Sequence, residues 1–279
     1  MNAFALDDFL RSALGEDLGR AGDLTTNAII AAEQTGSADI VAREAGTVSG
    51  LSAAGRVFKL LDAAIDVENW VTDGDTVGGG TRLATVSGLL RTILTGERTA
   101  LNVLGRLCGV ATATRRYVGL VAGTGATIVD TRKTTPGMRA LEKAAVRHGG
   151  GKNHRFGLDD AILIKDNHVA AARGIVPAIA AARAYAGHLV TIEVEVDSLE
   201  QLDEALSAGA HIVLLDNFTP EALVEGVRRA RGRALLEASG GVNAGTVRAI
   251  AESGVDLISV GALTHSAVTL DVALDIRAG

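Results

Sequence analysis

The sequence predicts an α/β protein whose larger part is built on a parallel sheet, behind a smaller α+β domain. Six strand-length apolar runs recur from residue 126 onward: ATIVD (126–130), AILIK (161–165), TIEVEV (191–196), IVLLD (212–216), ALLEA (234–238) and LISVGA (257–262). Ala-rich helical stretches separate them, and strands alternating with helices make a parallel sheet. The first ~110 residues lack this rhythm. Six consecutive units point to a (β/α) barrel or a doubly wound sheet, and the nearly equal spacing of the last three strands favours the barrel.

Residues 5–14 and 52–62 read as helices, and GSADIVARE (36–44), TVSG (47–50) and TRLATVSG (81–88) as strands, which makes residues 1–110 the first domain. A helical segment over 91–123 leads into the second domain, 111–266. MRALEKAAVRHG (138–149) has the apolar stripe of an amphipathic helix. Ser198 with Gln201 reads as a capping box, Thr219-Pro220 as an N-cap followed by proline at the first helical position, and Asn243 as another N-cap. In the tail, 267–279, Leu270, Val272, Leu274 and Ile276 alternate with polar or small residues. That strand signature breaks the βα rhythm and sends the tail back to the first domain's sheet.

Composition excludes several function classes. Hydrophobic residues at 47% and charged residues at 22% are ordinary for a folded globular chain. No apolar run approaches the ~20 residues a membrane span needs, and the first residues are acidic where a secretory signal would be basic. The single cysteine, Cys108, has no disulfide partner, which fits a cytoplasmic chain. Aromatics at 3% and a net charge of −6 argue against nucleic-acid binding. Within this acidic chain, residues 130–155 carry Arg132, Lys133, Arg139, Lys143, Arg147, Lys152 and Arg155 against only Asp130 and Glu142. A basic island in an acidic protein attracts a small anion. Lys143 and Arg147 fit a solvated helix face equally well, whereas Arg132, Lys133, Lys152, His154 and Arg155 lie in loop sequence.

Parallel α/β architectures place their ligand at the carboxyl ends of the strands. Here those ends are Asp130, Arg132 and Lys133; Lys165, Asp166 and Asn167; Glu195; Asp216 and Asn217; Ser239, Gly240 and Gly241; and Gly261. Period two along TIEVEVD puts Glu193 and Glu195 on one face and Ile192, Val194 and Val196 on the other. The aliphatic face packs under helices, so the glutamates point into the barrel, where they need cations such as Lys165 and Lys133. A purely structural ion-pair network is the competing explanation. SGG (239–241) and VGAL (260–263), from the last two strands, suit a phosphate cradle, because glycine admits an oxyanion close to backbone N–H groups at a following helix N-terminus. Glu195 and Asp216 offer oxygen-only ligands to a hard cation such as Mg²⁺. The six histidines show no zinc spacing. Together these features point to transfer chemistry on a phosphorylated sugar with a second, highly anionic substrate.

The chain resembles the quinolinate phosphoribosyltransferase family almost end to end. The resemblance runs through EDLGRAGDLTT (16–26), GERTALN (96–102), DTRKTTPGMRALEK (130–143), GGGKNHRFGLDDAILIKDNH (149–168), EVEVDS (193–198), LLDNF (214–218), LEASGGV (236–242) and VGALTHS (260–266). Thr135 and Ala144 depart from the leucine and tyrosine of the pattern, which touches packing rather than chemistry. The resemblance implies an incomplete α/β barrel with an N-terminal α+β sandwich domain, working as a homodimer or a higher assembly of dimers. It implies conversion of quinolinate and phosphoribosyl pyrophosphate to nicotinate mononucleotide, pyrophosphate and carbon dioxide in NAD synthesis, with Mg²⁺ as cofactor. Arg132, beside Thr131, together with His154, Arg155 and Lys165 would grip the dicarboxylate, joined by Arg98 from the neighbouring subunit. Lys133 and Lys165 would meet the pyrophosphate, and Glu195 and Asp216 the ribose and the metal, largely through substrate and water. Ser239, Gly240, Gly241 and the Val260, Gly261, Ala262 turn would hold the 5-phosphate. Two rivals are a related pyrophosphorylase of the molybdenum-transport-associated type with another acceptor, and a non-catalytic sugar-phosphate binder. Arg98, Asn153-His154-Arg155 and Thr131-Arg132-Lys133 argue against the first, and Glu195 and Asp216 beside a bound phosphate against the second.

Overall fold

In the computed structural model, which describes residues 3–277, the chain divides into two compact units. Of the described residues, the first comprises 3–115, 135–150 and 267–277, and the second 116–134 and 151–266. Residues 135–150, which the sequence division at 110 assigns to the barrel, therefore group with the first unit.

The first unit opens with α1 (Ala3–Leu18) and α2 (Leu24–Ile29), a short helix absent from the sequence reading. Its cap is Asp23, whose carboxylate accepts the Thr26 N–H at 2.9 Å. A four-stranded antiparallel sheet follows, in the order β12 (Val272–Ile276), β1 (Thr35–Ala42), β5 (Arg82–Leu89), β3 (Asp66–Asn69). The tail strand pairs with β1 in the register Ile40 to Leu274. TVSG forms only the two-residue β2 (Gly46–Thr47), paired with β4 (Thr76–Val77). Helix α3 (Leu51–Leu61) buries Leu51, Ala54, Val57 and Phe58, and the Asp73 carboxylate accepts the Gly50 and Leu51 N–H groups at its start. The 31-residue α4 (Leu90–Leu120) presents Gly105 and Gly109 to the tail, so closely that a Cβ on Gly109 would lie 2.1 Å from the Val268 carbonyl. Helix α5 (Arg139–His148) completes this unit. Lys143 is buried, not on a solvated face, and Arg147 is exposed. The Thr135 that departs from the family pattern donates to Glu142 through its N–H (3.0 Å) and hydroxyl (2.8 Å), while Arg106 grips the same buried carboxylate at 2.7 Å.

The second unit holds six parallel strands, β6 (Thr127–Val129), β7 (Ala161–Ile164), β8 (Thr191–Val196), β9 (Ile212–Asp216), β10 (Leu235–Ser239) and β11 (Leu257–Ser259). Their order is β6-β11-β10-β9-β8-β7. The first strand pairs with the last, as in a barrel, and the ring is open between β6 and β7. The segment 151–155 enters that gap: the Lys152 N–H donates to the Ile128 carbonyl at 2.9 Å, and Arg155 reaches the Ala161 carbonyl at 3.1 Å. Val194, Val196, Val213, Leu215, Leu236, Ala238 and Ile258 are buried along the strands.

Connections on this sheet are α6 (Asp166–Ala172) with α7 (Ile175–Tyr185), then α8 (Leu199–Ser207), α9 (Pro220–Ala230), α10 (Val247–Glu252) and α11 (Ala262–His265). Two caps stand where the sequence puts them, with Ser198 accepting from the Gln201 N–H and Thr219 from that of Ala222. Asn243 does not begin α10. Its side chain instead closes a turn onto the Gly245 and Thr246 N–H groups, and the helix starts at Val247. No helix among the described residues is long and apolar enough to cross a membrane.

Candidate active site

A cavity of about 340 Å³ opens at the carboxyl ends of the six strands. It gathers Thr131, Arg132, Lys133, His154, Arg155, Lys165, Glu195, Asp216 and Ser239, nine residues from five strand ends and the gap segment. The fold dictates the gathering, since all strand ends face one way and seven of the nine side chains follow or close a short parallel strand, with His154 and Arg155 supplied by the gap segment. After β6 the chain turns tightly, the Lys133 N–H donating to the Thr131 hydroxyl (3.1 Å) and the Thr134 N–H to the Arg132 carbonyl (2.9 Å). This turn aims consecutive cationic side chains into the cavity, and Thr264 holds the Lys133 carbonyl at 2.8 Å.

The cationic side is built of groups that lack enough partners. Arg132 Nε is buried without a hydrogen-bond partner. Burial and the nearby Arg132 charge pull the Arg155 guanidinium below its ordinary value, against a smaller opposing pull from Asp160 and Glu193. Two guanidinium groups this close, in a partly buried cavity, make a receptor for an anion with more than one charge. Lys165, closing β7, forms a close ion pair with Glu195 at the end of β8. Asp216 accepts from the Asn217 side chain at 2.7 Å.

His154 lines the cavity and also meets two of the protein's own carboxylates. Its Nδ1 accepts the Arg155 backbone N–H at 2.6 Å, and its Nε2 stands 2.9 Å from Glu193 Oε2 and 3.8 Å from Glu237 Oε1. An N–H donated to Nδ1 requires a lone pair there, so the ring proton sits on Nε2 and points at the carboxylates. His154, Glu193 and Glu237 bring one ligand atom each within 4.8 Å of one another, a metal-like spacing. A metal at Nε2 would have to displace that proton and the Arg155 N–H from Nδ1. Glu237 also lines the cavity, and the sequence reading passes over it. Period two backward from Ser239 would place it on the inner face, but ALLEA reads as a plain apolar strand.

The glycines stand at the rim rather than in the lining. Gly240, at φ +88°, lies so close to Asn217 that a Cβ would meet Asn217 Oδ1 at 2.1 Å. Gly241 has φ +61°, with open space around it. Helix α10 begins six residues after Gly241, so the helix N-terminus expected behind that loop is absent there, whereas Gly261 is itself the N-cap of α11. A Cβ on Gly261 would meet the Lys133 side chain at 3.0 Å. Val260 is buried behind it, and Ala262 opens the helix. Arg98 is not in this cavity. It lines another, of about 300 Å³, in the first unit with Phe9, Asn102, Arg106 and Met138.

Known proteins extend this picture. The N-terminal domain of quinolinate phosphoribosyl transferase matches residues 23–108 and the C-terminal domain residues 110–275. A nicotinate-nucleotide pyrophosphorylase [carboxylating] of Mycobacterium leprae is 46% identical over 280 residues, covering 98% of this chain and 97% of the relative. A probable one of Bacillus subtilis is 43% identical over 276 residues, covering 99% and 95%. The solved structure of the nicotinate-nucleotide pyrophosphorylase from Francisella tularensis superposes with a TM-score of 0.95 at 39% identity, covering 99% of this chain and 98% of that one. With both domains matched in order and relatives above 40% identity over nearly the full length, the chain belongs to the quinolinate phosphoribosyltransferase family.

Proposed function

We propose that this chain joins quinolinate to phosphoribosyl pyrophosphate, giving nicotinate mononucleotide, pyrophosphate and carbon dioxide, a step of NAD biosynthesis. The observation that carries the reading is the pair Arg132 and Arg155, one with a buried, partnerless Nε and the other pulled down by burial and by its neighbour's charge. A planar dianion satisfies both, through bidentate contacts that a single ammonium cannot offer. Lys165, exposed over nearly half its side chain, is placed to turn from Glu195 toward the incoming anion.

The ring nitrogen of quinolinate donates its lone pair to ribose C1 as the C1–O bond breaks and the electron pair leaves with pyrophosphate. Positive charge grows on C1 between these events. Glu195 and Asp216, on adjacent strands, supply the opposing charge, while Lys133 and Lys165 meet the departing pyrophosphate. Holding both reactants in line contributes up to ~7–11 kcal/mol. The bond from C2 to its carboxylate then breaks. Carbon dioxide departs, the electron pair on C2 is stabilised by the quaternised nitrogen beside it, and C2 takes a proton. No lysine Schiff base is required.

The donor chemistry fits Mg²⁺, because Glu195 and Asp216 present carboxylate oxygens to the cavity that would also hold a pyrophosphate. When bound, the ion offsets the charge of the leaving pyrophosphate. The Ser239, Gly240, Gly241 rim and the Val260, Gly261, Ala262 turn suit the 5-phosphate. The reading includes a homodimer in which Arg98, which lines a separate cavity in the first unit, serves the acceptor site of the neighbouring subunit. A cytoplasmic location accords with one buried cysteine, whose thiol burial pushes up to about 11.

The test is stoichiometry. Purified protein with quinolinate, phosphoribosyl pyrophosphate and Mg²⁺ should release one carbon dioxide and one pyrophosphate per quinolinate consumed, and nothing when phosphoribosyl pyrophosphate is omitted. Carbon dioxide released without the sugar substrate, or no turnover by folded protein, would overturn the reading.

A further inference from the structure

Beneath the two guanidinium groups the barrel buries three carboxyl groups: Asp130, Glu193 and Glu237, each at most 6% exposed. Three carboxylates together in a nearly dry interior carry a large desolvation cost, which such clusters lower by keeping a proton. The hydrogen bonds decide which group keeps it. Asp130 accepts from the Asn153 amide (2.6 Å) and the His154 N–H (2.9 Å), so both its oxygens have donors. Glu193 accepts the imidazole proton of His154. One oxygen of each glutamate, Glu193 Oε1 and Glu237 Oε1, has no hydrogen-bond partner, but Glu237 stands 3.8 Å from His154 Nε2 where Glu193 stands at 2.9 Å, and it faces Glu193 from β8 and Asp130 from the end of β6. The favourable neighbours of its charged form are His154, from the gap segment, and the Ser259 hydroxyl of β11.

We propose that Glu237 is a positioning residue for the dicarboxylate acceptor: it holds a proton as a neutral acid, so that the floor beneath Arg132 and Arg155 carries one negative charge fewer while the dianion is bound. Burial and the charge of Glu193 push its carboxyl up to about 7, near neutrality. Above that pH the free protein loses the proton. A dianion arriving overhead then draws it back, because two negative charges added to Glu193 and Asp130 disfavour a third. Glu237 lines the same cavity as Arg132 and Arg155 and acts through the charge it carries or gives up there, beside His154 and Glu193, so it need not bond the substrate. The inference rests on the reading of the cavity as a quinolinate site.

The sign follows from that value. Below pH 7 Glu237 is already protonated, and quinolinate binding is independent of pH on its account. As pH rises through 7 the binding must pull a proton from solution, and the quinolinate KM climbs toward a limit of about tenfold per pH unit. Calorimetric titration of the whole protein with quinolinate at pH 7.5, in two buffers of different ionisation enthalpy, counts that proton. We expect more than half a proton taken up per site in the wild type, none in Glu237→Gln, and a quinolinate KM that is flat from pH 7 to 8.5 in the variant. A purely structural glutamate would leave uptake at zero and the two pH profiles parallel. Should Glu237→Gln not fold, the wild type decides alone, since quinolinate should strengthen the infrared band of a protonated carboxyl. Quinolinate that binds and turns over without proton uptake overturns this inference and leaves the proposed function standing. Quinolinate that neither binds nor turns over overturns both.

Discussion

Arg155 shows how much of one residue a sequence reveals. Its place in Asn153-His154-Arg155, in loop sequence within a basic island, marks it for an anion. The structure adds what the sequence does not carry, a guanidinium tied to the Ala161 carbonyl at 3.1 Å and disfavoured by burial and by Arg132. Removing it should leave the fold intact, because β7 keeps its ladder to β8. Each charge-assisted bond contributes ~1.5–3 kcal/mol, so Arg155→Ala should raise the quinolinate KM by about 10- to 150-fold and leave the phosphoribosyl pyrophosphate KM nearly unmoved. Equal increases for both substrates would remove Arg155 from acceptor binding. His154 and Glu237 were less legible. A histidine between a cation and an asparagine does not disclose which way its nitrogens point, and a single glutamate inside ALLEA is hidden by its apolar neighbours.

At the scale of elements, the six barrel strands and the caps Ser198 and Thr219 were readable because periodicity and capping chemistry are local. The start of α10 was not, because Asn243 can close a turn as well as open a helix. Helix α2 escaped as well, and the helical stretch between β7 and β8 was not resolved into α6 and α7, all of them pieces of eleven residues or fewer with weak patterns. The glycines of α4 carry meaning only once the tail is seen against them. Gly109→Ala gains up to ~1 kcal/mol of helix propensity, yet its Cβ would press on the Val268 carbonyl from 2.1 Å. Overpacking of that kind costs ~1–3 kcal/mol. The clash wins, and thermal unfolding should show a lowered Tm for Gly109→Ala, whereas an unchanged or raised Tm would mean that the tail strand yields freely.

Over the whole molecule, the basic island of residues 130–155 is the feature that composition exposes most plainly, and the structure divides it between two uses. Arg132, Lys133 and Arg155 face the strand-end cavity, whereas Lys143 is buried in α5 and Arg147 lies on its surface. The division was not legible, because a run of charge in sequence carries no direction until β6, α5 and the gap segment are placed in space. The central claim is that these cations select a doubly charged acceptor. The most direct test is kcat/KM for quinolinate against nicotinate, with phosphoribosyl pyrophosphate and Mg²⁺ held constant, followed by the absorbance of the mononucleotide. Nicotinate lacks one carboxylate and so forfeits two charge-assisted bonds, which predicts a preference for quinolinate of about 10² to 10⁴. Comparable rates with both acceptors would contradict the account, because a pocket indifferent to the second carboxylate would have no use for the paired guanidinium groups.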